Sequence, residues 1–302
     1  MTVSVRTPAS SANLGPGFDT LGLALALYDE VSAEVIEGET TVTVKGEGEG
    51  ELPTDDQHLV VRAMCAAFDE LGLDPPNVAL TCHNQIPQAR GLGSSSAAIV
   101  AGVLLARTLA SGEDGKLPLD DDAVLRLAAR MEGHPDNVAA CLRGGFTIAW
   151  VAAGAARAVR LMPADAVRPT VFVPEQRGLT AAARAVLPPT IPHVDAAHAA
   201  GRAALLVHAI TTDPARLLDA TEDRLHQDYR APNAPATAAL VGRLRAAGIP
   251  AVVSGAGPSV LALSPVPSEF DSEAGWLRHV LDVDRHGAVV QAGTIGMYAG
   301  KA

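Results

Sequence analysis

The sequence predicts an α+β protein, and three observations point there. Short strand-like segments, with period-two apolar alternation as far as Trp150, recur from the N-terminus to about residue 291, helical apolar patterns lie between them, and the two kinds of segment follow no regular strand–helix rhythm. With 302 residues, 48% of them apolar and only 3% aromatic, the chain can bury a large core. Its length is near that at which one core divides, so two domains are expected.

In order, Val3 and Val5 alternate with polar neighbours as a strand would, and Pro8 is expected to end that strand ahead of a Ser-Ser-Ala-Asn loop. Residues 21–27 are mostly apolar, and Val31, Ala33 and Val35, then Val42 and Val44, alternate; these segments read as consecutive strands of an antiparallel sheet. The glycines and glutamates from Gly46 to Gly50 form a solvated turn. A helix from about Gln57 should end at Gly72, a C-cap, and residues 77–83 return as a strand. A Gly/Ser turn follows, then a helix to about Ala110. Asp120 to Asp122 are good caps for a helix carrying Val124, Leu125, Leu127, Ala128 and Met131 on one broad face. Phe146, Ile148 and Trp150 alternate again. The Ala/Gly-rich stretch from Ala152 to Ala158 is the boundary candidate, which divides the chain into 1–157 and 158–302. Beyond it are expected a strand over 170–173, helices near 179–186, 194–211, 214–227 and 236–247, strands over 251–253 and 260–263, and a last strand containing Val289 and Gln291.

A formal net charge of −11, without a basic run, disfavours nucleic acid and anionic membranes as partners. An acidic protein that binds an anion must gather its few cations locally or use a divalent metal. Cys65, Cys82 and Cys141 are odd in number and widely spaced, which indicates neither a disulfide framework nor a zinc ribbon, and the nine histidines have no consistent ligand spacing. The N-terminus lacks a signal-peptide apolar stretch, and Arg107 interrupts the longest apolar helix pattern before it could span a bilayer, so a cytoplasmic location is expected.

The most informative segment is Gly91-Leu-Gly-Ser-Ser-Ser-Ala-Ala98, set between a strand and a helix. Glycines let the backbone turn tightly beside a ligand, and the following helix offers unpaired N–H groups and a positive dipole end to an anion. It is not a Walker A loop, since no Lys stands between Lys45 and Lys116; nor is it a dinucleotide fingerprint, since Ser96 occupies the third small position. Three more segments accompany it: Pro8-Ala-Ser-Ser-Ala-Asn13 running on to Gly17-Phe-Asp19, Glu132-Gly-His-Pro-Asp-Asn137, and Ser254-Gly-Ala-Gly-Pro-Ser259. Singly each has an ordinary role as a cap or turn. Their shared order and spacing are specific.

Together these blocks resemble the GHMP kinase superfamily, and within it the homoserine kinases, over nearly the whole chain. The resemblance implies an N-terminal domain like domain 2 of ribosomal protein S5, a ferredoxin-like C-terminal domain, a homodimer, and transfer of the ATP γ-phosphoryl to the hydroxyl of L-homoserine on the route to threonine. It further implies that Pro87, Arg90, Gly91, Leu92, Gly93, Ser94, Ser95, Ser96 and Ala97 hold the ATP phosphates, and that Mg2+ is bound by Glu132 and a loop serine, Ser95 by alignment. The third consecutive serine leaves that hydroxyl open by one position. Homoserine would meet Asn13, Asp19, His134, Asp136, Asn137, Arg184, Arg230 and Gly257. Guanidinium groups suit its carboxylate and Asp19 its ammonium. The chain departs from the common pattern at Ala89-Arg90, Ser96, Ala182 and Asp228.

Related mevalonate kinases place an Asp base where Asn137 stands. An amide cannot take a proton, so Asn137 is expected to orient the acceptor hydroxyl with no dedicated base, and Asp136 is the rival base. A mevalonate-like small-alcohol kinase and a non-catalytic amino-acid or nucleotide sensor are the competing readings.

Overall fold

The computed structural model describes residues 2–111, 117–270 and 275–292. Strands β1 (Thr2–Ala12) and β2 (Leu21–Val35) form the centre of the first sheet. β1 does not end at Pro8. The antiparallel register shifts there, from Pro8 opposite Tyr28 to Ala9 opposite Leu25, and an irregularity of this kind accommodates a residue with no N–H to give to the ladder. Ser10 and Ser11, expected in a loop, are therefore fully buried strand residues. The apolar segments at 21–27 and 31–35 are likewise one long strand.

β3 (Thr41–Gly46) pairs in parallel with β4 (Val78–Asn84), against the expected antiparallel meander. Parallel neighbours need a long crossover, and α1 (Leu59–Leu71) supplies it. His58 caps α1 through its ring nitrogen, and Gly72 ends it in the left-handed conformation at φ 67°. α2 (Ser94–Leu109), α3 (Asp121–Glu132) and α4 (Asp136–Arg143) complete a helical layer whose apolar faces share one core with this sheet. The Asp120 carboxylate accepts from the Ala123 N–H at 2.7 Å, as a cap should.

β5 (Phe146–Ala152) and β6 (Ala155–Leu161) form a hairpin with Trp150 opposite Arg157. The Ala/Gly-rich stretch is thus a hairpin turn and strand, and residue 157 lies inside the first sheet. The second sheet begins with β7 (Thr170–Pro174). α5 (Thr180–Ala185), α6 (His193–Thr211), α7 (Leu217–Ala220), α8 (Gln227–Arg230) and α9 (Pro235–Ala246) follow. The helix expected over 214–227 is broken. The Asp223 carboxylate accepts from the N–H groups of Leu225, His226 and Gln227, at 2.8, 3.1 and 2.8 Å, and so competes with helical bonding.

β8 (Ala251–Val253), β9 (Val260–Ala262) and β10 (Trp276–Val280) complete the antiparallel second sheet in the order β10-β7-β9-β8; β10 had no expectation from sequence. Both faces are covered. Phe172, Val260 and Ala262 meet Leu240 and Leu244 of α9, whereas the alternate residues Val171, Val173 and Leu261 join the large core with Leu206 and Ile210 of α6. The last strand, β11 (Val289–Ala292), returns to pair with β1. The Gly255 N–H donates to the Ala12 carbonyl at 3.1 Å, so the end of β1 and the Ser254-to-Ser259 turn face each other.

Candidate active site

The turn after β4 is held by a buried carboxylate. Asp29 Oδ1 accepts from Gln85 N at 2.7 Å and Ile86 N at 2.9 Å, directly ahead of the Pro87-to-Gly93 loop. Burial pushes this carboxyl up to about 6, opposed by those two N–H groups.

Gly91 and Gly93 adopt φ of 76° and 72°. A Cβ on Gly91 would run into the Ser254 carbonyl, and one on Gly93 into the Ser10 hydroxyl. The Ser254 hydroxyl donates to the Gly91 carbonyl at 2.6 Å and lies 2.8 Å from that of Ser11, which joins three of the four motifs in one packing unit. Arg90 serves the backbone: its guanidinium donates to the carbonyls of Gln88, Pro174 and Glu175 at 2.9–3.1 Å and ties the loop to the end of β7. α2 begins after Gly93 with no side-chain cap, the arrangement that leaves helix N–H groups to an anion.

The three serines separate by geometry. Ser95 Oγ donates to Glu132 Oε1 at 2.6 Å, Ser94 lies on the cavity wall, and Ser96 is fully buried with no partner for its hydroxyl. Glu132 is the last residue of α3, and Gly133, at φ 89°, turns the chain toward α4. There His134 Nδ1 lies 2.9 Å from Asp136 Oδ1, which also accepts from the Asn137 N–H at 2.8 Å. The hydrogen bond to Asp136 holds the His134 imidazole above its ordinary pKa in spite of burial. Asn137 Oδ1 accepts from Ser10 Oγ at 2.9 Å, so its amide is anchored to β1.

Across the cavity, Asn13 turns its loop at φ 69°, accepts from the Asp19 N–H at 2.9 Å and donates to the Gly255 carbonyl at 2.8 Å. Asp19 and Arg184 form a two-bond ion pair at 2.6 and 2.9 Å, and both guanidinium groups, Arg184 and Arg230, lie over the Phe18 ring at 5.5 and 5.6 Å. Burial and the neighbouring Arg184 lower the Arg230 pKa from its ordinary value.

One cavity of about 430 Å³ gathers Asn13, Asp19, Pro87, Arg90 to Ser95, Ala97, Glu132, His134, Asp136, Asn137, Arg184 and Arg230. Ser96 and Gly257 do not line it. Gly257 faces a smaller cavity, about 260 Å³, behind the Ser254-to-Ser259 turn. Sequence reasoning missed the wall formed by Asp29, Leu52, Pro53, Gln57, His58 and Asn84. A carboxylate in the middle of an apolar strand was the one available signal for Asp29. Among the described residues no three His, Cys, Asp or Glu side chains cluster as a metal cage. The Ser95–Glu132 oxygens at a phosphate loop nonetheless suit Mg2+, which takes one or two carboxylates together with substrate phosphates.

Residues 58–145 match the GHMP kinase N-terminal domain family and residues 202–274 the GHMP kinase C-terminal family. Homoserine kinase of Streptomyces avermitilis is 57% identical over 95% of both chains, and that of Mycolicibacterium vanbaalenii 45% identical over 98% of this chain and 93% of its own. The crystal structure of homoserine kinase from Cytophaga hutchinsonii superposes with a TM-score of 0.82 at 25% identity, covering 96% of this chain and 97% of that one. The two-sheet architecture is the two-domain GHMP kinase fold, and the chain belongs to the GHMP kinases and, within them, to the homoserine kinases.

Proposed function

We propose that the protein is an ATP-dependent kinase that phosphorylates the hydroxyl of L-homoserine. One observation carries the reading: the Gly91-to-Ser95 loop with the Ser95–Glu132 pair and an acid–arginine cluster suited to an amino acid open on one cavity, which Asn137 also lines. The uncapped start of α2 and the loop from Gly91 to Ser95 receive the ATP phosphates. Leu52, Pro53, Gln57 and His58 line the same cavity and receive the nucleoside. Glu132 and Ser95 would hold Mg2+, whose charge would offset that of the phosphates. Ser96, buried away from the cavity, takes no part in that role.

The acceptor's carboxylate is taken by Arg230 and Arg184 and its ammonium by Asp19, so the zwitterion engages both members of the existing ion pair. Asn137, fixed by Ser10, orients the hydroxyl. The hydroxyl oxygen bonds to the γ-phosphorus as the bond to the β-phosphate oxygen breaks, ADP leaves, and the proton passes to phosphate or solvent. Asp136 accepts from His134 and from the Asn137 N–H, which fits a carboxylate that holds His134 and α4 in place. No described helix is long and apolar enough to cross a membrane, and we place the enzyme in the cytoplasm as a homodimer, in line with its family.

The deciding experiment is ADP release with Mg-ATP across L-homoserine, mevalonate, shikimate and galactose. Turnover confined to homoserine is expected. Turnover confined to another alcohol rejects the acceptor assignment and leaves the kinase class standing, and binding without turnover favours a sensor.

A further inference from the structure

His226, fully buried in the turn ahead of α8, makes two hydrogen-bond contacts through its ring, and the Asp223 carboxylate lies 3.6 Å from its Nε2. Its Nε2 lies 3.0 Å from the Gly15 carbonyl oxygen, and its Nδ1 2.9 Å from Arg230 Nη1. A carbonyl only accepts, so Nε2 carries the hydrogen; a guanidinium only donates, so Nδ1 is the bare acceptor. The two contacts together describe a neutral ring, and burial, with the Arg230 charge, lowers the imidazole pKa in the same direction, against Asp223, the Gly15 bond and Asp19. Arg230 is anchored twice more, Nε to the Ala183 carbonyl at 3.0 Å and Nη1 to the Gly255 carbonyl at 3.2 Å. Nη2 is the guanidinium nitrogen without such an anchor, on a side chain that lines both the large cavity and the smaller one behind the Ser254-to-Ser259 turn.

We propose that His226 is a positioning residue for the acceptor: as a neutral Nε2–H imidazole bridging the Gly15 carbonyl to Arg230, it aims Nη2 of Arg230 at the carboxylate of the amino-acid alcohol. It also ties that aim to the 13–19 loop, whose Asp19 meets the ammonium, so both charges of the zwitterion are registered against one element. This inference rests on the reading of Arg230 as a carboxylate-binding residue. Its consequence is selective: His226 governs discrimination between homoserine and the same alcohol without its carboxylate, 3-aminopropan-1-ol.

The test compares the unmodified enzyme with His226→Leu on both acceptors and on ATP. A lost charge-assisted hydrogen bond predicts a KM for L-homoserine raised about 10- to 100-fold. The KM for ATP and the kcat/KM for 3-aminopropan-1-ol should stay within about twofold, and His226→Gln, whose amide can both donate and accept, should recover part of the loss. Parallel losses on both acceptors, as a purely structural residue would give, overturn the proposal.

Should His226→Leu fail to fold, nitrogen NMR of the histidine-labelled unmodified protein decides. A neutral Nε2–H tautomer at pH 7, with the Nδ1 resonance shifted in Arg230→Lys, is expected; a cationic ring or an Nδ1–H tautomer overturns it. Inactivity of the unmodified enzyme on L-homoserine overturns the function reading and the carboxylate half of this proposal, and the tautomer measurement distinguishes that result from a failure of the His226–Arg230 link.

Discussion

Replacing Asp29 by Asn should make the protein more stable, by an amount that depends on pH. The Asp29 carboxyl is 5% exposed, and burial raises its pKa from 3.8 to about 6. At 1.36 kcal/mol per pKa unit, holding it ionised in the folded state costs about 3 kcal/mol. The folded value lies above the unfolded one, so the carboxyl's favourable contribution is complete below about pH 4 and is lost as pH rises through about 6. Asn carries no charge, and its carbonyl oxygen can still accept from Gln85 N and Ile86 N. Urea unfolding of both proteins from pH 4 to 8 should give nearly equal stabilities at the acid end and a difference growing to about 3 kcal/mol at the alkaline end. A difference independent of pH, or a weaker variant at pH 8, refutes the reasoning. The carboxylate holds the turn directly ahead of the Pro87-to-Gly93 loop, so on the proposed function this cost would be stability given up beside the site.

Three other substitutions probe the cavity. Glu132→Gln removes the charge beside Ser95 and should raise the Mg2+ concentration needed for half-maximal activity about tenfold or more; an unchanged Mg2+ titration rejects the assignment. Gly93→Ala places a methyl group against the Ser10 hydroxyl and 3.2 Å from Asn137 Oδ1 at a φ of 72°. It should lower kcat about 100-fold with the circular dichroism spectrum retained, and normal turnover contradicts the close approach. Asp136→Asn weakens the bond that raises the His134 pKa. The ion pair's contribution to stability is full below the ordinary histidine pKa and lost as pH rises through the raised folded value, so the variant should lose that pH-dependent increment. If Asp136 is no base, turnover survives at saturating substrate; loss of turnover with normal binding of both substrates sinks the no-base mechanism.

Much of the fold was legible wherever local chemistry decides. Gly72 ends α1, Asp120 caps α3, and the short apolar segments at 170–173 and 251–253 are strands, because caps and short apolar runs between turns act within a few residues. The misreadings have long-range causes. Pro8 breaks a ladder only if the partner cannot adjust, and β2 adjusts; β3 pairs in parallel because α1 carries the chain across; the helix expected over 214–227 stops because the Asp223 carboxylate takes three N–H groups. Nothing in local composition marks residues 155–161 as the partner of β5.

By itself the amino-acid order determined the inventory from which the proposed roles are drawn: a Gly/Ser loop without a lysine, a carboxylate at Glu132, an amide at Asn137, and Arg184 and Arg230 in an acidic chain. Which atoms of that inventory meet was decided by tertiary structure alone. Only in the fold does Ser95 rather than Ser96 face Glu132, does Arg90 commit its guanidinium to backbone carbonyls, and does His226 meet Gly15, 211 positions away, and Arg230, four positions ahead. The reason is physical. A residue type is written at one position, whereas the direction of a hydrogen bond depends on two partners that only packing brings within about 3 Å.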